Sequence, residues 1–154
     1  YRGTFLCVWK CSMDFVFLTE QFYKDYPADK YPEIEHKPTR PYISVCIDID
    51  GVIYAVPMRS HIEHNNAYFT DKKNRCGIDY SKAVIIKDTD KYIDTHQKPH
   101  IRQNEFDALR GKEYRIKTGM AKYLKKYKES KLKEDKIAKT LVRYSTLQYF
   151  EDDI

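Results

Sequence analysis

The chain has 154 residues, with 28 Lys and Arg against 23 Asp and Glu and a formal charge of +5. Hydrophobic residues at 42% and charged residues at 33% suit a single globular domain with a core and exclude a disordered polyelectrolyte. No apolar run reaches the roughly 18 residues of a membrane span, no signal-peptide pattern opens the chain, and its few glycines form neither a GxGxxG nor a GxxxxGK loop.

Thr4 to Trp9 reads as a short β-like run, and Ser12 offers an N-cap to a helix over 13–23. Phe15, Leu18 and Phe22 recur there at helical spacing. Pro27, Pro32, Pro38 and Pro41 break regular structure from Tyr26 onward and predict a long loop, a feature often tied to function. The strongest local pattern follows. Residues 42–49 alternate, with Ile43, Val45, Ile47 and Ile49 on one face, and Asp50-Gly51 supplies the positive φ angles of a two-residue hairpin turn. Val52 to Val56 returns as the partner strand and ends at Pro57.

Residues 65–77 read as a polar loop with a short strand at 67–70, and 82–86 as a further strand rich in β-branched residues. From Gln103 the pattern becomes helical through Phe106, Leu109 and Tyr114, with Gly111 as an interruption. Ile116, Met120, Tyr123, Leu124 and Tyr127 then form an apolar stripe beside lysines. A last helix is predicted over 132–149, with Ile137, Leu141, Tyr144 and Gln148 on one side. The fold class is α+β: one compact domain over 1–154, with antiparallel strands in the middle and helices at both ends.

Charge is unevenly placed. From Arg110 to Lys139 there are 12 Lys and Arg against 4 Asp and Glu, while the other residues hold 16 against 19. Such a stretch either attracts a polyanion through counterion release or forms a solvated lysine-rich helix face. Cys7, Cys11, Cys46 and Cys76 lack CxxC spacing and read as free thiols of a reducing cytoplasm. His61-x-x-His64 and His96-x3-His100 lack the companion ligands of a zinc site, so neither a metal nor another cofactor is expected.

Arg59-Ser60-His61-x-x-His64 places a cation, a hydroxyl and two imidazoles just past a strand end. Arg40 enters the hairpin where its partner strand leaves, so the two ends should be neighbours. Guanidiniums can clamp phosphate oxygens, and histidine can move a proton near neutral pH. With RNA the substrate's own 2′-OH can serve as nucleophile. The plainer alternative is an ordinary loop in which Ser60 caps a turn and Arg59 pairs with Glu63. A serine hydrolase fits less well, because Ser60 lacks a G-x-S-x-G elbow.

Arg40-Pro41-Tyr42-Ile43-Ser44-Val45, the Asp50-Gly51 turn, Tyr54-Ala55-Val56-Pro57-Met58-Arg59-Ser60 and the stretch from Gly77 to Ile86, in that order, resemble the endoribonuclease toxins of type III toxin–antitoxin systems. These are the ToxN, AbiQ, CptN and TenpN group, and the Arg-Ser-His-x-x-His form is most similar to the CptN/TenpN branch. The resemblance covers roughly residues 4 to 90 by order of elements. It implies a twisted sheet akin to an SH3-like barrel and metal-independent cleavage of RNA, typically at A-rich sites, to a 2′,3′-cyclic phosphate and a 5′-hydroxyl. It further implies inhibition by a repeated pseudoknot RNA antitoxin that the toxin itself processes, in a protein–RNA assembly in the bacterial cytoplasm that acts in phage defence. Partners would then be RNA, not DNA or a membrane.

Of the family's Thr-Ser pair after the second strand only Ser60 is retained, Arg40 stands where ToxN-like members usually carry lysine, and the other roles follow from residue chemistry on an RNA substrate. Ser60 orients the scissile phosphate or 2′-OH, Arg40 and Arg59 stabilise its charge, and His64, or else His61, is the general acid or base. Ile62 stands where ToxN carries a lysine. His36, Lys37, Lys112, Arg115, Lys122, Lys125, Lys126 and Lys128 are expected to contact RNA, with Tyr123 or Tyr127 either stacking on bases or lying in the core. The alternative function is a non-catalytic RNA-binding module.

Overall fold

The computed structural model describes residues 13–154. The strand expected at Thr4–Trp9, the Ser12 cap, Cys7 and Cys11 lie outside the described residues. The chain forms an α+β domain around a seven-stranded antiparallel sheet of β1 (Asp14–Leu18), β2 (Ser44–Ile49), β3 (Val52–Arg59), β4 (Ala67–Asp71), β5 (Cys76–Asp79), β6 (Val84–Ile85) and β7 (Ile93–Asp94), in the order β4-β5-β3-β2-β1-β7 with β6 also paired to β3. β4 and β7 end this path without pairing to each other, so the sheet is not closed into a barrel.

The N-terminal helix expected over 13–23 is corrected. Asp14–Leu18 is β1, and a short helix α1 (Glu20–Asp25) follows, N-capped by Thr19, whose Oγ1 accepts from the Phe22 N–H at 3.3 Å. Phe15, Val16 and Phe17 are aromatic or β-branched, and their backbone is used by β2 (Ser44–Ile49) on one side and β7 (Ile93–Asp94) on the other. Helical spacing of three apolar residues is a weaker constraint than two flanking ladders. Between α1 and β2 the proline-rich loop contains no helix or strand.

The hairpin forms as the sequence predicts. Asp50 and Gly51 adopt φ of 53° and 83°, and β2 pairs with β3 (Val52–Arg59) from Ile49↔Val52 through Ser44↔Pro57. Ser44, Val45, Cys46 and Ile47 are all buried, because both faces of this central strand are covered. Burial pushes the Cys46 thiol up to about 12, helped by nearby Asp14.

Pro57 does not end β3, which runs on to Arg59. The reason lies on its other edge. Val84–Ile85, strand β6, pairs with Tyr54 and Ala55, and Cys76–Asp79, strand β5, pairs with Met58 and Arg59. Between them a 3-10 turn at Tyr80–Lys82 leaves the ladder, shifting the register of the partner run by three residues. Met58 N–H donates to Ile43 O on the β2 side, so Pro57, one residue earlier, turns its nitrogen toward that interruption. The missing donor sits where no ladder bond is formed.

The short strand expected at 67–70 forms as β4 (Ala67–Asp71), and the loop expected to run on to residue 77 gives way to β5 at Cys76. The strand expected over 82–86 is reduced to β6 by the same 3-10 turn. Asp88 caps a one-turn helix, α2 (Thr89–Tyr92), before β7. Then come α3 (Gln103–Leu109), a break at Gly111 with φ 75°, and α4 (Glu113–Lys131). Ile116, Met120, Tyr123, Leu124 and Tyr127 of α4 are buried as the stripe predicts, whereas Tyr114 is 81% exposed. A Cβ built at Gly119 would lie 2.3 Å from Tyr80 Oη, so glycine lets α4 settle onto that ring. Tyr80 in turn donates its hydroxyl proton to Ile116 O at 2.9 Å.

The final helix is also corrected. Leu132 closes α4, Asp135 caps α5 (Lys136–Tyr144) through the Ala138 N–H, and Ser145 starts a 3-10 turn at Thr146–Tyr149. Capping side chains at Asp135 and Ser145 divide what the apolar spacing reads as one element. Ile137 is 83% exposed, while Leu141 and Val142 pack on the core. No helix among the described residues is long and apolar enough to cross a membrane.

Candidate active site

Phe17 of β1, Ile43 just before β2 and Met58 near the end of β3 meet at one end of the sheet, with Gly77 of β5 paired to Arg59 beside them. These residues floor an open groove of about 630 Å³. The proline-rich loop supplies Lys37, Arg40 and Tyr42 to one rim, the end of β3 supplies Arg59 and Ser60, and the approach to α3 supplies His100 and Arg102. The expected convergence of Arg40 with Arg59-Ser60 is therefore present. Neither His61 nor His64 is among the residues that line the groove.

Arg59 does not pair with Glu63. Its Nη1 donates to Asp79 Oδ2 at 2.7 Å and its Nη2 to Glu35 Oε1 at 2.9 Å, with the Tyr42 ring centroid 6.0 Å from the guanidinium carbon. Tyr42 also donates to Glu35 at 2.8 Å. Two carboxylates offset the charge of Arg59 and fix its fork at the groove floor.

Asp79 is the hub of this end of the sheet. It is fully buried, and it accepts from Arg59, from the Ser81 N–H at 3.0 Å, from Ser81 Oγ at 2.6 Å and from His64 Nε2 at 3.2 Å. Burial works to raise its pKa, but hydrogen bonds from His64, Ser81 and Arg59 outweigh it and hold the carboxyl below its ordinary range.

His64 sits in a loop held by Arg75, which donates from Nε to Ile62 O at 2.8 Å and from Nη2 to His64 O at 2.6 Å. His61 takes a left-handed φ of 56°, which turns the chain so that Ile62 is buried and His61 exposed. The Asn66 N–H donates to His64 Nδ1 at 3.0 Å, so the ring carries its proton on Nε2, facing Asp79 and Ser81. Both nitrogens are committed. Ser81, His64 and Asp79 are not a hydrolase triad, since one imidazole nitrogen faces both partners and Ser81 is buried.

The other expected residues fall in three places. His36 stacks on Tyr23, with centroids 3.8 Å apart and planes within 6°. Lys37 Nζ lies 5.1 Å from the Tyr42 centroid, on the groove. Arg115, Lys122, Lys125, Lys126 and Lys128 form the exposed face of α4 and Lys112 stands at its start; Lys126 donates to Asn66 Oδ1 at 2.9 Å. Base stacking by Tyr123 or Tyr127 is corrected. Both rings are buried, and their hydroxyls donate to Ser145 and Glu151.

Asp79, Glu35, Ser81 and His100 are what sequence reasoning missed as site residues. The Asp-x-Ser spacing at 79–81 signals a local turn, but nothing in it names Arg59 or His64 as partners. Among the described residues no group of three or more His, Cys, Asp or Glu side chains is placed to hold a metal ion. Comparison of the chain with family models, with curated proteins and with solved structures finds no match in any of the three.

Proposed function

We propose that this protein is an endoribonuclease that cuts RNA by attack of the 2′-OH on the adjacent phosphorus, leaving a 2′,3′-cyclic phosphate and a 5′-hydroxyl. The reading rests on one observation above others: Arg40 and Ser60 reach the same groove as Arg59 and Lys37, with no side-chain hydrogen bond or ion pair of their own among the described residues. Arg40 and Lys37 hold non-bridging oxygens and offset the charge that grows on them, Arg59, fixed by Asp79 and Glu35, adds a positioned N–H fork beside them, and Ser60 orients the phosphate or the 2′-OH. The resemblance to type III toxins extends this reading to a toxin of the bacterial cytoplasm, silenced by its own processed pseudoknot RNA. Kinship with SH3-like barrels belongs to the same proposal. None of these steps asks for a metal ion, so cleavage should persist in EDTA.

A non-catalytic RNA-binding module is the second reading, and the exposed basic face of α4 favours it. Incubating the purified chain with an A-rich oligoribonucleotide in EDTA separates the two. Cyclic-phosphate ends are expected, with Arg40→Ala and Ser60→Ala each slowing cleavage by about a hundredfold or more. Intact RNA that is nevertheless bound would establish the module instead.

A further inference from the structure

An RNA-cleaving groove needs a group that accepts the 2′-OH proton, and the groove described above is rich in donors and poor in acceptors. Lys37, Arg40, Arg59 and Arg102 are cations. Glu105 is a possible acceptor, but it is held by Arg102, which donates to it from Nε at 2.6 Å and approaches with Nη2 at 2.5 Å. Cys76 Sγ faces Asn74 O at 3.6 Å. His64, the histidine that the sequence favours, has both ring nitrogens engaged and is not part of the lining. His100 remains. It is exposed, lines the groove with Arg40 and Ser60, and makes no hydrogen bond or ion pair among the described residues.

We propose that His100 is the general base of this site, an inference that rests on the endoribonuclease reading. Its neutral imidazole takes the 2′-OH proton as the O2′–P bond forms. The P–O5′ bond then breaks, the phosphorus is left in the 2′,3′-cyclic phosphate, and the departing 5′-oxygen takes a proton from water. The imidazolium returns its proton to the hydroxide so formed, which closes the proton count. Ser60 and the cations position and neutralise the phosphate, and histidine suits the transfer because it gains and loses a proton near neutral pH. Geometry places this acceptor in the same groove as Arg40, about 40 residues along the chain from the Arg59–His64 segment that carries the motif.

The test uses the full chain and an A-rich oligoribonucleotide. His100→Ala and His100→Gln should lower kcat by about 10²- to 10⁴-fold. Affinity for the matching 2′-deoxy oligonucleotide, which cannot be cut, should stay within about threefold, which also reports that each variant is folded. The wild type should gain activity with pH through the neutral range, and that limb should be absent from His100→Gln, while His64→Ala keeps it. A substrate with sulfur in place of the 5′-oxygen needs no acid at the leaving group, so it should leave the His100 variants slow. Recovery to the wild-type rate on that substrate would overturn the base assignment. So would cleavage by His100→Ala within threefold of an active wild type, with the endoribonuclease reading left standing. A wild type that cuts no RNA would overturn both.

Discussion

Replacing Asp79 with alanine is expected to cost about 3–5 kcal/mol of unfolding free energy, read from urea denaturation. The loss is large because the carboxylate is fully buried and serves three side chains and a backbone N–H at once. Its removal strands the partly buried guanidinium of Arg59 beside Glu35 alone and leaves the Ser81 N–H without its acceptor. A double-mutant cycle sharpens the result. Arg59→Met added to Asp79→Ala should recover part of the loss, since an apolar pair of similar bulk avoids the unpaired charge. Equal or greater destabilisation in the double variant would mean that Asp79 acts through the Ser81 turn rather than through the ion pair.

The same carboxylate sets an acid limit. Hydrogen bonds from His64, Ser81 and Arg59 outweigh the opposing effect of burial, so the folded state holds Asp79 ionised below its ordinary range. Its contribution is therefore complete above the unfolded value of about 3.9 and drains away as pH falls through the lower folded one. Wild-type stability should fall more steeply below about pH 4 than that of Asp79→Asn, which cannot titrate. Parallel acid limbs for the two proteins would show that other carboxylates control acid unfolding.

Gly77→Ala is expected to cost at least about 3 kcal/mol, although it adds a single methyl group. The new Cβ would lie 2.1 Å from Tyr68 O, 2.8 Å from Phe69 Cα and 2.9 Å from Tyr68 C. All three atoms are backbone of β4, so no rotamer change can relieve the overlap. β4 crosses β5 this closely at the bulge between Phe69 and Asp71, where the register shifts. Because Gly77 also lines the groove, a folded Gly77→Ala protein should have a distorted groove floor and, on the proposed function, should lose cleavage. Circular dichroism on heating checks the first effect, and a Tm unchanged from wild type would refute it.

The parts of this fold that the sequence announces are those whose cause is local. Asp50-Gly51 between alternating strands specifies its hairpin without outside help. The α4 stripe is long enough that its period is unambiguous. β1 is misread because Phe15, Leu18 and Phe22 satisfy a helical period while the deciding bonds come from β2 and β7, far along the chain. β5 escapes notice because it is short and opens with Cys76-Gly77, neither of which signals a strand. At the site, the motif from Arg59 to His64 points to the end of the sheet where the groove lies. It does not reveal that His61 turns the chain away, nor that Glu35 and Asp79 claim the arginine. Those are long-range pairings, visible only once the proline-rich loop and the 3-10 turn are folded against β3. His100 enters the sequence reading only as half of the His96-x3-His100 pair, whose spacing says nothing of the groove.

Pro57 and the three-residue shift opposite it divide the long strand β3 into two stretches that share a backbone but not a partner. One stretch is tied into the hairpin and β6, the other into β5 and the groove. Amide hydrogen exchange should register that division as two cooperative units, because opening the β4–β5 end breaks no bond of the Asp50-Gly51 hairpin. Amides of Cys76–Asp79 should then exchange at a lower free energy than those of Val45–Ile47, and a single shared value would show that the shift is no boundary. A sheet so jointed can lose its groove end to local unfolding while the hairpin end keeps the rest of the molecule folded.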